Sequence, residues 1–161
     1  MVVDLGAAPG GWIQASRKMV GEEGCVLGVD LKPLEDFGFA NVSSIACDIQ
    51  TLTSSDILGK LPKKANVVLS DLSPNVSGVW ELDHSRQIYL SEVALKIAVD
   101  VLDSGGNFLV KTFQGSSLKE FIDTVRTYFR TIRVVKPKAS RKTSAEVYVV
   151  ALDFHDRHSS L

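Results

Sequence analysis

The sequence predicts an α/β protein with a mostly parallel central sheet and helices on both faces. Short apolar runs alternate along the chain with segments of helical periodicity, which is the pattern of strands joined by crossover helices. A glycine-rich turn, Gly6–Gly11, follows the first apolar run directly, at the position where such sheets often bind ligands. No repeat and no low-complexity linker divides the 161 residues, so we expect one domain over residues 1–161.

The apolar runs define seven predicted strands: Val2–Leu5, Cys25–Asp30, Val42–Cys47, Asn66–Ser70, Asn107–Phe113, Thr131–Lys136 and Glu146–Leu152. Helical periodicity covers Trp12–Val20 and Arg86–Leu102. Ser117 and Glu120 have the spacing of a capping box, which predicts a third helix that buries Leu118, Phe121, Ile122 and Val125. The loop before the last strand is too short for a crossover helix, so we expect that strand to be antiparallel.

Composition limits the possible partners. Lys and Arg total 18 against 19 Asp and Glu, so any nucleic-acid partner must be met by a local basic patch rather than by bulk charge. No apolar run is long enough to span a bilayer and no signal peptide opens the chain, which favours a cytoplasmic protein without a membrane partner. The histidines are scattered and both cysteines have apolar neighbours, so we expect no metal site.

The glycine turn and two acidic strand ends suggest an adenosine-type cofactor. The turn lacks the middle glycine of a dinucleotide fingerprint, the Gly-Lys-Ser/Thr of a P-loop and any basic residue for a phosphate. Asp30 ends the second predicted strand and Asp48 follows the third. At the carboxyl edge of a parallel sheet, one acid can bind ribose hydroxyls and the other an adenine amino group. Each aspartate alone is more often a turn residue.

Four ordered segments, Asp4–Trp12, Ser70–Asn75, Val110–Gly115 and Ser140–Tyr148, resemble the FtsJ/RrmJ family of RNA ribose 2′-O-methyltransferases. The block from Asp71 to Gly78, followed by Arg86 and Tyr89, is most similar to the branch that methylates a uridine of large-subunit ribosomal RNA. The resemblance implies a Rossmann-like methyltransferase fold and S-adenosylmethionine as cofactor. Members of the family usually carry a further segment before the glycine turn, so we expect that this chain lacks it.

The resemblance also implies which residues contact the cofactor. Gly6, Gly10 and Trp12 match positions around its methionine and ribose parts, and Asp30 and Asp48 match its ribose and adenine contacts. The same matching includes Ala7, Pro9, Leu31, Ile49 and Asp71 among the cofactor-binding residues.

Three residues are candidates for catalysis. Lys111 lies at the end of a strand that otherwise reads as core, and in the predicted order of strands Asp71 and Glu146 face the same cleft. The family uses a Lys-Asp-Lys-Glu tetrad, whose last three members Asp71, Lys111 and Glu146 match. Its first lysine lies before the glycine-loop strand, and no residue of this chain matches it. A ribose hydroxyl is a weak nucleophile and must lose its proton, so a desolvated lysine is a suitable acceptor.

The loop after Asp71 resembles the Asp/Asn-Pro-Pro-aromatic loop of amino-group methyltransferases, but Asn75 stands where that loop has an aromatic residue for stacking on a base. This difference favours an acceptor other than a base nitrogen. Eight basic residues lie between Lys119 and Lys142. The four nearest to Glu146 are predicted to contact RNA phosphates: Lys136, Lys138, Arg141 and Lys142.

Other functions remain open from the sequence. The RNA is predicted to be ribosomal RNA within the large subunit, and the near alternatives are a transfer RNA or an mRNA cap. A non-catalytic cofactor- or RNA-binding module belongs to a different class, and the unmatched first lysine of the tetrad keeps that alternative open. A nicotinamide oxidoreductase is disfavoured because Ala8 replaces a fingerprint glycine and because Lys111 accompanies Asp71.

Overall fold

The computed structural model describes residues 1–139, 141 and 143–155. Its elements follow one another in the alternating order that the sequence predicts. In chain order they are β1 Val2–Leu5, α1 Gly11–Val20, β2 Val26–Asp30, β3 Val42–Ala46, α2 Ser54–Leu58, β4 Ala65–Ser70, α3 Trp80–Val101, β5 Leu102–Phe113, α4 Leu118–Val125, β6 Phe129–Val135 and β7 Glu146–Phe154.

The strands form one sheet in the order β3-β2-β1-β4-β5-β7-β6. The first five strands of this order are parallel, and β7 is antiparallel to both of its neighbours, β5 and β6. This confirms the predicted mostly parallel sheet with an antiparallel last strand. The strand order reverses at β1, which pairs with β2 on one side and β4 on the other, so the ends of these three strands form the switch point where such sheets bind ligands.

Alternate residues of each strand point to opposite sides of the sheet, and each face has its own hydrophobic core. Val3 and Leu5 of β1 join the larger core with α2, α3 and α4, whereas Val2 packs with Ile13 of α1 in a smaller core on the other face. The helices on both faces confirm the predicted architecture. Among the described residues, no helix combines the length and the apolarity that a bilayer crossing requires.

Helix α3 begins at Trp80 rather than at Arg86, where the apolar periodicity starts. Its first turns bury polar side chains, including Asp83 and His84, and these interrupt the apolar pattern. The Asp83 carboxylate accepts hydrogen bonds from the backbone N–H groups of Ser77 (2.7 Å) and Gly78 (3.0 Å). The helix start is therefore stabilised by tertiary polar contacts that periodicity does not detect.

The capping box predicted at Ser117 is wrong, although the helix that follows it is present. Ser117 already has helical dihedral angles (φ −87°, ψ −4°) and makes no capping bond with its side chain. Its backbone N–H instead donates to Nε2 of His84 (3.3 Å). The structure has a reciprocal capping box at Thr53 and Asp56, at the start of the short helix α2, which the sequence analysis missed.

Candidate active site

The turn after β1 brings the backbone close to the end of β4. Gly6 has a positive φ of 81°, and a Cβ built there would lie 3.1 to 3.2 Å from backbone atoms of Asp71 and Leu72. The N–H groups of Gly6 and Ala7 both donate to the carbonyl of Val29, at 2.8 and 3.0 Å. A side chain at position 6 would therefore push the turn away from the neighbouring strand end.

Asp30 connects this turn to the end of β2. Its Oδ2 accepts a hydrogen bond from the N–H of Ala8 (2.9 Å) and its Oδ1 accepts one from the N–H of Lys32 (2.9 Å). A carboxylate has further acceptor capacity on both oxygens, so Asp30 can also accept from ribose hydroxyls. Asp48 has a similar turn geometry, since its Oδ1 accepts from the N–H of Gln50 (2.9 Å).

A cleft of about 510 Å³ opens at the carboxyl edge of the sheet. Its wall includes six of the predicted cofactor-binding residues: Gly6, Asp30, Leu31, Asp48, Ile49 and Asp71. On the α3 side it is closed by Arg86 and Tyr89, which the sequence analysis did not predict to bind the cofactor, and the Tyr89 hydroxyl donates to Oε1 of Gln50 (3.3 Å). The size and the acidic ends of the cleft suit an adenosine-type cofactor.

The other four predicted cofactor residues lie outside the wall of this cleft. Ala7 is buried, Pro9 is exposed, and Gly10 lies beneath Phe37, whose ring a Cβ at position 10 would overlap. Trp12 packs against Tyr148 with 5.8 Å between ring centroids. Their contact with a cofactor stays a prediction.

Asp4 is a buried carboxyl group that the sequence analysis did not propose as a site residue. Its side chain is fully buried on β1, and neither oxygen has a hydrogen-bond partner among the described residues. Burial, assisted by the negative charges of Asp71 and Asp30, raises the pKa of Asp4 to about 7. The sequence did contain a signal for Asp4 as a site residue, namely an acid inside an apolar strand. Such a residue is rarely buried without a partner.

Replacing Asp4 with asparagine should remove a pH dependence of stability. The folded protein retains a proton on Asp4 that the unfolded chain releases near pH 4, so the free energy of unfolding falls as pH rises from about 4 to about 7. We expect the parent protein, without cofactor, to lose up to about 4 kcal/mol from this group across that range, the equivalent of about three pKa units. Urea unfolding at pH 4 and pH 8 should show that loss in the parent protein but not in Asp4→Asn. Equal pH dependence in the two proteins would contradict the raised pKa.

Lys111 is the buried centre of a charged cluster. Its side chain is 7% exposed, and its Nζ lies 3.2 Å from Oδ1 of Asp71 and 3.7 Å from Oε1 of Glu146. Nζ also donates to the backbone carbonyl of Asp71 (3.2 Å). The structure therefore brings together the three residues that the sequence predicts to be catalytic. The ends of three different strands, β4, β5 and β7, supply them.

Tyr148 is a further member of this cluster that the sequence analysis missed. It lies directly opposite Lys111 in the register of β5 and β7, and its hydroxyl donates to Oδ1 of Asp71 (2.9 Å). Burial, the hydrogen bond to Asp71 and the negative charges of Asp71 and Glu146 raise the pKa of Tyr148. The phenol therefore stays protonated and orients the Asp71 carboxylate.

Gln87 of α3 fixes the backbone beneath the cluster. Its buried side-chain amide donates to the carbonyl of Leu72 (3.1 Å) and to that of Lys111 (3.0 Å). The hydroxyl of Ser91 donates to the same Lys111 carbonyl (3.2 Å). The ends of β4 and β5 are thus held at a set separation from within the core, which positions Asp71 relative to Lys111.

The predicted RNA-binding residues lie on an exposed segment that leads to Glu146. Lys136, Lys138 and Arg141 are exposed, and Nζ of Lys136 donates to the carbonyl of Ser144 (2.7 Å). Lys142 lies outside the described residues. Three other basic residues of the same region are paired with carboxylates elsewhere on the surface: Lys119 and Arg126 with Asp123, and Arg130 with Asp153.

Comparison with known proteins agrees with this geometry. The sheet order, the glycine turn and the acidic strand ends define the class of Rossmann-like methyltransferases. The model of the FtsJ-like methyltransferase family matches residues 1–154, and the chain belongs to that family.

Two relatives and one solved structure illustrate the similarity. A ribosomal RNA large subunit methyltransferase E of Methanococcus aeolicus is 49% identical over 95% of this chain, and one of Methanocaldococcus jannaschii is 44% identical over 94%. The chain spans 57% and 63% of the length of these two relatives. A Plasmodium falciparum structure described as a ribosomal RNA methyltransferase superposes with a TM-score of 0.83 at 23% identity, covering 97% of this chain and 87% of its own, which supports the fold.

Proposed function

We propose that this protein transfers a methyl group from S-adenosylmethionine to a ribose 2′-hydroxyl of RNA. The observation that carries the proposal is the buried Lys111 with Asp71 and Glu146 beside an adenosine-sized cleft, in a chain of the FtsJ-like methyltransferase family. Asp71 belongs both to the wall of the cleft and to the charged cluster, so it links the cofactor to the acceptor.

The residues present fit this cofactor. Asp30 would hold its ribose hydroxyls and Asp48 its adenine amino group, whereas the wall offers no phosphate-binding turn and the cofactor has no phosphate. Asp4 lies on β1 between the strands that end at Asp30 and Asp71, and its carboxyl group has no partner among the described residues. An unpartnered acid at this position suits the positively charged methionine part of the cofactor.

When bound, S-adenosylmethionine would supply an electrophilic methyl carbon for the ribose oxygen and a neutral thioether as the leaving group. The chain must remove the hydroxyl proton, and Lys111 is the proposed acceptor. Nζ faces three protein oxygens, and the contact with Glu146, at 3.7 Å, is the longest. We infer that the hydroxyl enters on this side, while Tyr148 keeps Asp71 in place.

The proposed target is a uridine of large-subunit ribosomal RNA. The support is the similarity to ribosomal RNA large subunit methyltransferases E, together with the block Asp71–Gly78 in this sequence. Exposed basic residues beside Glu146 would bind the RNA backbone.

Methyl transfer from labelled cofactor tests the proposal directly. The acceptors are undermodified large ribosomal subunits, naked ribosomal RNA and transfer RNA, and the modified nucleotide is mapped in each. We expect 2′-O-methylation of ribosomal RNA. Modification of transfer RNA alone would reassign the substrate, and cofactor binding without transfer to any RNA would favour the non-catalytic alternative.

The exposed basic residues before Glu146 give a separate prediction about RNA binding. Charge reversal in the double variant Lys138→Glu, Arg141→Glu should weaken RNA binding regardless of sequence and reduce the slope of log affinity against log salt by roughly 0.7 to 0.9 for each lost phosphate contact. The matched control is Lys119→Glu, Arg126→Glu, which changes the net charge equally at residues paired with Asp123. Both variants are titrated with RNA at several salt concentrations. If the slope of log affinity against log salt is the same in the two double variants, Lys138 and Arg141 are solvated surface residues that do not contact RNA.

A further inference from the structure

An aromatic stack stands at the start of α3, beside the charged cluster. The Trp80 ring lies near-parallel to the rings of Phe113 (6.1 Å between centroids, 17° between planes) and His84 (5.6 Å, 21°). Although it makes both contacts, Trp80 remains 45% exposed. Tryptophan is enriched at interfaces, because its indole combines a large apolar face with a polar N–H.

The stack is close to the proposed acceptor position. Phe113 follows Lys111 by two residues on β5, so the two residues lie on the same face of the strand, about 7 Å apart along it. Phe113 also pairs directly with Glu146 in the register of β5 and β7. Trp80, which stacks on Phe113, therefore borders the side of Lys111 where we infer that the hydroxyl enters.

The residues around Trp80 are held in place. A Cβ at Gly115 would lie 2.5 Å from the His84 ring, so glycine at this position leaves the space that the ring occupies. The N–H of Ser117 donates to Nε2 of His84, and Asp83 accepts from the backbone of Ser77 and Gly78 just before the helix. The exposure of Trp80 is thus a feature of a fixed surface.

A nucleobase is the partner that matches this surface. The loop after Asp71 has Asn75 instead of a stacking aromatic residue, and Trp80 supplies an exposed aromatic ring on the helix that follows. The Arg86 guanidinium, exposed beside Asn75, and the basic residues Lys138 and Arg141 provide positive charge for the flanking phosphates. Aromatic rings that receive unpaired bases within a basic surface are a general means of binding single-stranded RNA.

We propose that Trp80 is a stacking platform for one unpaired base of the RNA, at or next to the nucleotide whose ribose is methylated. This inference rests on the proposed RNA methyl transfer and adds that the acceptor must be presented in a single-stranded or locally opened segment.

Two probes of equal charge test the stacking. One is a decamer of uridylate, and the other is a ten-residue ribose-phosphate chain without bases, each binding to the full chain at low salt and measured by fluorescence anisotropy. Trp80→Ala should weaken binding of the decamer by about five- to hundredfold, the range for loss of one stacked base, and should leave binding of the abasic chain unchanged. Trp80→Phe should retain most of the affinity. Leu82→Ala is the matched control, since Leu82 is similarly exposed (42%) on the same helix.

The outcomes separate this inference from the proposed function. If Trp80→Ala loses affinity equally for both probes, or loses none for the decamer, the stacking is overturned. The second result would favour a protein as the partner of the exposed ring. Cofactor affinity of Trp80→Ala, and its binding of the abasic chain, should match the parent, which excludes a folding defect. Methyl transfer by the parent protein is measured in parallel. If the parent protein transfers methyl groups but Trp80→Ala binds the decamer as the parent does, the stacking alone fails. If binding depends on the bases but no methyl transfer occurs, the proposed function fails.

Discussion

Replacing Lys111 with alanine is expected to lower methyl transfer to RNA by about a hundredfold or more, the usual scale for loss of a positioned acid–base group. The amine is buried between Asp71 and Glu146, and no other lysine or arginine lies within 4 Å of either carboxylate in the described part of the chain. Single-turnover methyl transfer from labelled cofactor compares the variant with the parent protein. Cofactor affinity should remain near that of the parent, because Lys111 does not belong to the wall of the cleft.

Two further variants test whether the effect comes from loss of a proton acceptor at position 111. Lys111→Arg should fail as well, because a guanidinium remains protonated and cannot accept a proton. Lys119→Ala removes an exposed lysine that is also paired with an aspartate and should leave transfer unchanged. If Lys111→Arg methylates at the parent rate, the residue at position 111 is a positioning charge, and Asp71 becomes the first candidate for the base.

The second large effect is expected at Asp30. Asp30→Ala should weaken binding of S-adenosylmethionine by about ten- to hundredfold, because hydrogen bonds to a charged group are lost. The carboxylate also accepts the N–H groups of Ala8 and Lys32, so part of the loss comes from loosening of the turn after β1. Asp30→Asn keeps the size of the side chain but offers one acceptor oxygen fewer, and should give an intermediate affinity. Isothermal titration calorimetry provides the affinities.

Asp36 provides the matched control for this experiment. It is an exposed aspartate in the same connection between β2 and β3, and its Oδ1 accepts a hydrogen bond from the N–H of Gly38 (2.8 Å), as Oδ1 of Asp30 does from Lys32. It is not part of the cleft wall, so Asp36→Ala should leave cofactor affinity unchanged. Tighter binding of a nicotinamide dinucleotide than of S-adenosylmethionine by the parent protein would reject the cofactor assignment.

Much of the fold and part of the site are local properties of the sequence. Strands β1 to β7 were predictable because apolar runs of four to eight residues between turn residues have few alternatives in a chain of this length. Asp30, Asp71 and Lys111 were predictable as candidates because each lies at or next to the carboxyl end of a predicted strand, and a parallel order brings those ends to one edge. Glu146 instead opens the antiparallel last strand, whose start lies at the same edge.

The tertiary structure decided how those candidates are held and what surrounds them. The register of β5 and β7 places Tyr148 opposite Lys111 and within hydrogen-bonding distance of Asp71, and no sequence spacing relates these strands. Burial between two other acids raises the pKa of Asp4, and the packing of α3 against the end of β5 stacks Trp80 on Phe113. Such properties depend on distances between residues remote in sequence, whereas composition and periodicity report only on neighbours along the chain.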